Sequence, residues 1–372
     1  MHHCLRKLES LAQQVRRTTM IKQFVLLSLL VSNPVEGSNI SFIHHSYHIV
    51  RIVGTADDTT VNVVAGSSSH QQLTCLQTTS SSSNESFQDG EVQLDSQMSL
   101  HYRIHNRMNL SSQIKAPILT IHGGPGLTSE YLYPLKDVVP YRSIVFYDQL
   151  GSGKSPGPDN IDAYSIERSL DDLELLLKKL NLRRFHLYGH SYGGILAFEY
   201  LKRVAERGQS GEEEEDGDHL NKCLSVILSS TPTDMEETIQ SINDLEQSLL
   251  QQDPDLYTLD ERFRKEYQCR TENIPQPLAN SYAHAGTVWA GIDVVKDWKA
   301  EKVSDDTTRM PSSMIMVGEY DFVNELSASK WKALFNHPFV RMKILNECSH
   351  HGLLEDGNAY GEVVDSFFSE YD

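Results

Sequence analysis

The sequence predicts a domain of the α/β class, with a mostly parallel sheet, helices on both faces and an inserted helical lid. From about Glu91 onward, short β-rich runs alternate with helical stretches, which is typical of parallel strands joined by crossover helices. Residues 166–180 carry apolar side chains at the spacing of an amphipathic helix. Residues 234–300 then break the alternation with a helical pattern too long for a plain loop.

Six short runs are predicted to be strands, because they are rich in apolar residues and bounded by turn-forming residues; the last of them also contains Arg341 and Lys343. They are residues 117–121, 143–147, 185–188, 225–228, 313–317 and 340–345. A helix over residues 195–204 is expected to follow the third of these strands.

The chain is expected to divide into two N-terminal segments and one domain interrupted by the lid. The predicted segments are 1–37 (signal or transit segment), 38–90 (low-complexity linker), 91–233 (first part of the core), 234–300 (lid) and 301–372 (second part of the core). The linker is rich in Ser, Thr, Asn and His, a composition that buries too little apolar surface to offset its ordering entropy.

The N-terminal segment allows more than one cellular compartment. Counted from Met20, Lys22 precedes the apolar run 24–31, as in a short secretory signal. Counted from Met1, the basic residues resemble an organelle transit segment, and an untargeted extension of a cytoplasmic protein is the alternative.

Charge and composition exclude several classes of partner. The formal net charge is -18, whereas a nucleic-acid surface needs excess Lys and Arg, and anionic membranes would repel such a chain. No apolar run reaches the ~20 residues of a membrane-spanning helix. The five cysteines show no metal-type spacing. The acidic stretch 208–218 is predicted to be a surface loop.

The segment Gly189-His-Ser-Tyr-Gly193 lies between a predicted strand and a predicted helix. The pattern is typical of the nucleophile turn of the α/β-hydrolase fold, in which a serine occupies a sharp strand-to-helix corner and its neighbours two positions away lack bulk. Ser191 is therefore the predicted nucleophile. The helix that begins there directs its N–H groups to the place where negative charge develops. The alternative is a glycine-rich turn with an exposed serine.

In that fold the acid and the base follow the serine along the chain, in that order. Asp321 comes just after a predicted strand and is preferred over the nearby Glu319 as the residue that orients the base. His350 and His351 follow the last predicted strand, and the spacing from the strand does not choose between them.

The oxyanion hole should combine two backbone N–H groups. One belongs to Tyr192, the residue after the nucleophile. The other is expected from Gly124 in the loop His122-Gly-Gly-Pro-Gly126, which follows an early strand and whose glycines let the backbone approach a reacting carbonyl. No Lys-Ser/Thr pair follows these glycines, which disfavours a phosphate-binding loop.

Together these motifs resemble the proline iminopeptidase family of serine peptidases, which includes tricorn-interacting aminopeptidases. The resemblance runs from about residue 90 to the C-terminus. It is carried by His122–Gly126, Tyr147–Ser155, Gly189–Gly194, Gly318–Asp321 and Cys348–Glu355. The family's spacing from histidine to the following acid implies that His350, rather than His351, is the base.

The lid of this sequence differs from that of the family. The family grips the substrate's amino group with a lid glutamate, but residues 285–291, which precede Asp297 and Trp298, contain none. A buried unpaired ammonium is costly, so another carboxylate is expected. The candidates are Glu236, Glu237, Asp260, Glu261 and Glu272.

The resemblance implies an aminopeptidase that releases proline or a small N-terminal residue from short peptides through Ser191, His350 and Asp321. No cofactor or metal is implied, because the three side chains supply nucleophile, base and orienting acid. The alternatives are an esterase, lipase or general amidase with the same residues, and a non-catalytic receptor that keeps only the fold. An epoxide hydrolase or dehalogenase would need an aspartate at position 191.

Overall fold

A computed structural model describes residues 87–107, 114–210, 223–304 and 310–372. The predicted targeting segment, nearly all of the predicted linker and most of the predicted acidic loop lie outside these residues. The expectations for compartment and linker therefore remain predictions.

Eight strands form one sheet. They are β1 (Gln88–Gln93), β2 (Ser99–His105), β3 (Ile118–Ile121), β4 (Ile144–Tyr147), β5 (Phe185–His190), β6 (Cys223–Ser229), β7 (Ser312–Gly318) and β8 (Val340–Leu345). Their order across the sheet is β1-β2-β4-β3-β5-β6-β7-β8. Strands β3 to β8 pair in parallel, whereas β2 pairs antiparallel with both β1 and β4.

The mostly parallel sheet confirms the predicted fold class, and all six predicted strands are present. The central strands are buried along their whole length because helices cover both faces: every residue of β3, β4 and β5 is buried. The antiparallel strands β1 and β2 were not predicted. Three of the six residues of β1 are Gln or Asp, and most of that strand is exposed. It also begins at Gln88, three residues inside the predicted linker.

The helices form layers on the two faces of the sheet. They are α1 (Leu135–Val138), α2 (Ile166–Lys179), α3 (Tyr192–Ser210), α4 (Met235–Gln252), α5 (Leu259–Phe263), α6 (Gln276–Ala283), α7 (Glu325–Ser329), α8 (Trp331–Leu334), α9 (Gly352–Glu355) and α10 (Gly357–Glu370). One buried cluster packs α2, α3 and α8 on β3 through Leu119 and Ile121. A second cluster packs α1 and α10 on the opposite face through Ile118. Helices therefore cover both faces, as predicted.

The segment between β6 and β7 holds α4, α5 and α6 and, among its described residues, no strand. Asp234 caps α4 by accepting a hydrogen bond from the Glu237 N–H at 3.2 Å. A π-helical turn (Arg264–Gln268) follows α5, and a 3₁₀ turn (Ile292–Val295) follows α6. No helix in the described ranges has the length and apolarity to cross a membrane.

Deleting residues 1–84 should leave the domain folded, because the described sheet begins at β1. Strand β1 belongs to the fold: Val92 is buried, and the ring of Phe87 just before β1 packs 5.6 Å from that of Tyr133. Thermal unfolding should therefore shift by less than about 2 °C, which is under about 1 kcal/mol for a domain of this size. Deleting residues 1–95 is the matched control and should lower the midpoint by several degrees. A large loss with the shorter deletion would contradict the prediction.

Candidate active site

The backbone around Ser191 forms the predicted strand-to-helix corner. Strand β5 ends at His190, Ser191 adopts a left-handed φ of 55°, and α3 begins at Tyr192. The Ser191 N–H donates to the Ser229 carbonyl at 2.8 Å, which holds the corner at the end of β6. A Cβ atom on Gly193 would overlap the carbonyl oxygen of Ile121, so glycine is required where the corner crosses β3.

The structure brings His350 and Asp321 into direct contact. The His350 Nδ1–H donates to Asp321 Oδ1 at 2.9 Å, and the same oxygen accepts the Val323 N–H at 2.9 Å. Both residues are about 5% exposed. Since Nδ1 carries the proton, the lone pair of Nε2 is available to accept one. The Phe322 ring stacks on His350 with centroids 4.1 Å apart and fixes the plane of the imidazole.

Neither Glu319 nor His351 makes a contact like the one that joins His350 to Asp321. Glu319 is exposed, and its carboxylate accepts the Glu347 N–H at 3.0 Å instead of approaching a histidine. The Nδ1 atom of His351 is buried without a hydrogen-bond partner among the described residues, and burial lowers the pKa of this imidazole well below its usual value. Of the two adjacent histidines, only His350 therefore pairs with a carboxylate that can stabilise its imidazolium.

The loop after β3 places two glycines beside Ser191. Gly123 and Gly124 both line the cavity of Ser191 and Tyr192, but the Gly123 N–H already donates to Tyr131 Oη at 2.7 Å. Two bonds from Gln149 hold the loop: its N–H donates to His122 Nε2 at 2.9 Å, and its side-chain amide donates to the His122 carbonyl at 2.7 Å. This arrangement supports Gly124 and Tyr192 as the pair of oxyanion donors.

The segment 147–155 holds the loop and the residues that follow it through hydrogen bonds from Gln149 and to Asp148. Asp148 accepts the Ser129 N–H at 2.9 Å and the Lys154 N–H at 3.1 Å. Burial alone would raise the pKa of Asp148, but its hydrogen bonds and nearby histidines lower that pKa to about 2. Asp148 is therefore ionised and structural, and the motif acts on the site only through the loop.

Ser191 and His350 open into one cavity of about 130 Å³. The inserted segment supplies part of its wall, including Met235, Thr238 and Gln268. Most of the wall is apolar and consists of Leu127, Pro232, Met235, Ile292, Val295, Phe322 and Val323. No Asp or Glu of the described residues lines it.

None of the five acids proposed to bind an ammonium lines the cavity. Three of them pair with cations: Glu237 with Lys330, Glu261 with Arg264 at 2.7 Å, and Glu272 with Lys265 at 3.1 Å. Glu236 lines a separate open depression and Asp260 is exposed on α5. The structure thus does not bring these candidates to the nucleophile.

Sequence reasoning missed Tyr131 and the role of His190. Tyr131 Oη donates to His190 Nδ1 at 2.9 Å, and His190 Nε2–H donates to the His350 carbonyl at 2.8 Å. His190 lies inside the nucleophile motif and could have been singled out, but no local signal marks Tyr131. Glu355, part of a noted motif, accepts bonds from the N–H and Oγ of Ser349 and so holds the loop that carries His350.

A family model described as the alpha/beta hydrolase fold matches residues 116–357. A proline iminopeptidase of Saccharolobus solfataricus is 27% identical over 279 residues, which cover 68% of this chain and 84% of that protein. Two solved structures share the fold. VinJ has a TM-score of 0.63 at 22% identity and covers 77% of this chain and 99% of its own. The proline iminopeptidase of Mycobacterium smegmatis has a TM-score of 0.61 at 20% identity and covers 76% and 98%.

Proposed function

The chain belongs to the α/β-hydrolase family, and from that premise we propose that it is a serine hydrolase that works through an acyl-enzyme. One observation carries the proposal: His350 is hydrogen-bonded to the buried Asp321 and lines the same cavity as Ser191. A fluorophosphonate probe tests it, because such probes react with an activated serine hydroxyl.

The geometry suits the two half-reactions of acyl transfer. His350 Nε2 takes the proton of Ser191 Oγ as that oxygen attacks the substrate carbonyl carbon, and Asp321 stabilises the resulting imidazolium. The N–H groups of Gly124 and Tyr192 hold the tetrahedral oxyanion. Collapse expels the leaving group, which takes the proton from His350. Water then attacks the acyl-enzyme with His350 as base, releasing the acid and restoring the serine.

For the substrate, we propose the N-terminal residue of short peptides, with proline or a small side chain at that end. Similarity to proline iminopeptidases supports this choice, and the small, largely apolar cavity suits a compact acyl group. The substrate ammonium would meet neutral acceptors in place of a carboxylate. The side-chain amide of Gln268 donates to Tyr282 Oη at 2.9 Å, so the side-chain oxygen Oε1 of Gln268 is the atom that would accept from the ammonium. The hydroxyl of Thr238 lines the same wall of the cavity.

A second candidate is hydrolysis of small uncharged esters or amides. The observation that favours it is the cavity wall, which carries no carboxylate among the described residues to balance an ammonium. The same three residues would perform this reaction without change.

A matched pair of substrates, one with a free amine and one acetylated, separates the two candidates. We expect the free amine to react about tenfold faster, which is the worth of about one hydrogen bond from a charged donor to a neutral acceptor. The measurement is kcat/KM for proline and alanine naphthylamides and their acetyl derivatives. Equal rates, or a faster acetylated substrate, would replace the aminopeptidase proposal with the second candidate.

A further inference from the structure

A chain of three buried hydrogen bonds joins the three loops of the site. The Gly123 N–H donates to Tyr131 Oη at 2.7 Å, Tyr131 donates to His190 Nδ1 at 2.9 Å, and His190 donates through Nε2 to the His350 carbonyl at 2.8 Å. The bonds run from the oxyanion loop, through the residue before the nucleophile, to the backbone of the base.

The proton positions in this chain have one consistent assignment. A backbone N–H only donates and a carbonyl only accepts, which fixes both ends. His190 is therefore protonated at Nε2, and its neutral Nδ1 accepts the hydroxyl proton of Tyr131. Burial, followed by the nearby His350, lowers the pKa of His190 to about 3, so the ring stays neutral.

Solvent has little access to this chain of bonds. Tyr131 is 1% and His190 4% exposed. Their rings meet edge to face with centroids 5.2 Å apart, and His351 packs against both rings. Removing the Tyr131 hydroxyl would leave the Gly123 N–H and His190 Nδ1 buried and unpaired.

We propose that Tyr131 and His190 are positioning residues that hold the oxyanion donor and the base at a fixed distance and orientation relative to each other. By engaging the Gly123 N–H, Tyr131 turns that amide away from the substrate and leaves the Gly124 N–H to face the reacting carbonyl. By bonding the His350 carbonyl, His190 fixes the backbone that carries the imidazole. The inference rests on the proposed serine-hydrolase function and adds two residues to its machinery.

Tyr131→Phe tests the inference, since it removes one oxygen and keeps the ring. We expect kcat to fall about 10- to 100-fold with KM changed less than about threefold, because the oxyanion donors act mainly in the transition state. A substrate-like boronic acid, which forms a tetrahedral adduct with the serine, should lose affinity in proportion to kcat. The corresponding product carboxylate should bind as before.

Tyr164→Phe is the matched control, because it also removes the hydroxyl of a buried tyrosine, one that donates to the Pro158 carbonyl at 2.9 Å outside this chain of bonds. It should cost similar thermal stability and leave kcat and the boronate affinity within about twofold. Unchanged kcat in Tyr131→Phe, or equal losses of boronate and carboxylate affinity, would overturn the inference.

If Tyr131→Phe does not fold, His190→Gln and His190→Ala replace it. The glutamine amide can still donate toward the His350 carbonyl, so we expect His190→Gln to keep at least about tenfold more kcat than His190→Ala. Equal kcat values would overturn the inference. Persistent probe labelling of Ser191→Ala would instead refute the serine-hydrolase proposal, so the two failures are distinguishable.

Discussion

Ser191→Ala should abolish turnover and labelling by a fluorophosphonate. We expect kcat to fall by about 10⁶-fold, the loss seen when the nucleophile of a serine protease is removed, because the covalent route then no longer exists. The fold should persist, since alanine removes a single oxygen at a corner held by the bond from the Ser191 N–H to the Ser229 carbonyl. The measurements are probe labelling and steady-state hydrolysis of a naphthylamide.

Ser329→Ala is a suitable control for this substitution. Ser329 lies on α7, and its hydroxyl donates to the carbonyl of Leu326 in its own helix. That variant should label and turn over like the parent protein. If Ser191→Ala keeps the probe, another residue is the nucleophile and the proposed mechanism fails.

The central sheet was predictable because parallel strands buried on both faces are continuous apolar runs. The two strands at one edge were not, since an antiparallel edge strand needs apolar residues on one face only. In β1, Val92 is the one buried apolar side chain, and Gln88, Glu91 and Gln93 of the same strand are polar and exposed. Such a segment resembles a polar linker until its pairing with β2 is known.

The sharp corner at Ser191 could be predicted because its constraint is local: a serine at such a corner requires small neighbours within two positions. The long-range contacts of the site were not readable in the same way. Tyr131 and His190 are 59 positions apart in the chain, and nothing near Tyr131 marks it as a partner. The sequence shows how many acids the inserted segment contains but not which of them reach the cavity. Nearby cations set the direction of these side chains, as Arg264 does for Glu261.

The choice between His350 and His351 shows the same limit and gives the second large expected effect. Adjacent residues on one loop share their distance from the strand, so that distance left the choice open, and at the sequence level only the family resemblance favoured His350. His350 bonds Asp321 at 2.9 Å, while His351 packs its ring on His190 and is held neutral by burial. The acid can therefore assist only His350 as it gains a proton.

His350→Ala should reduce kcat by about 10⁴- to 10⁶-fold, because the general base and the later general acid are both lost. His351→Ala should cost less than about tenfold, since it removes a packing ring from the cavity wall and no proton carrier. The measurement is kcat for both variants on one ester and one amide, with thermal unfolding to exclude a folding defect. A larger loss in His351→Ala would make that residue the base, and Asp321 would then have to leave His350 to assist it.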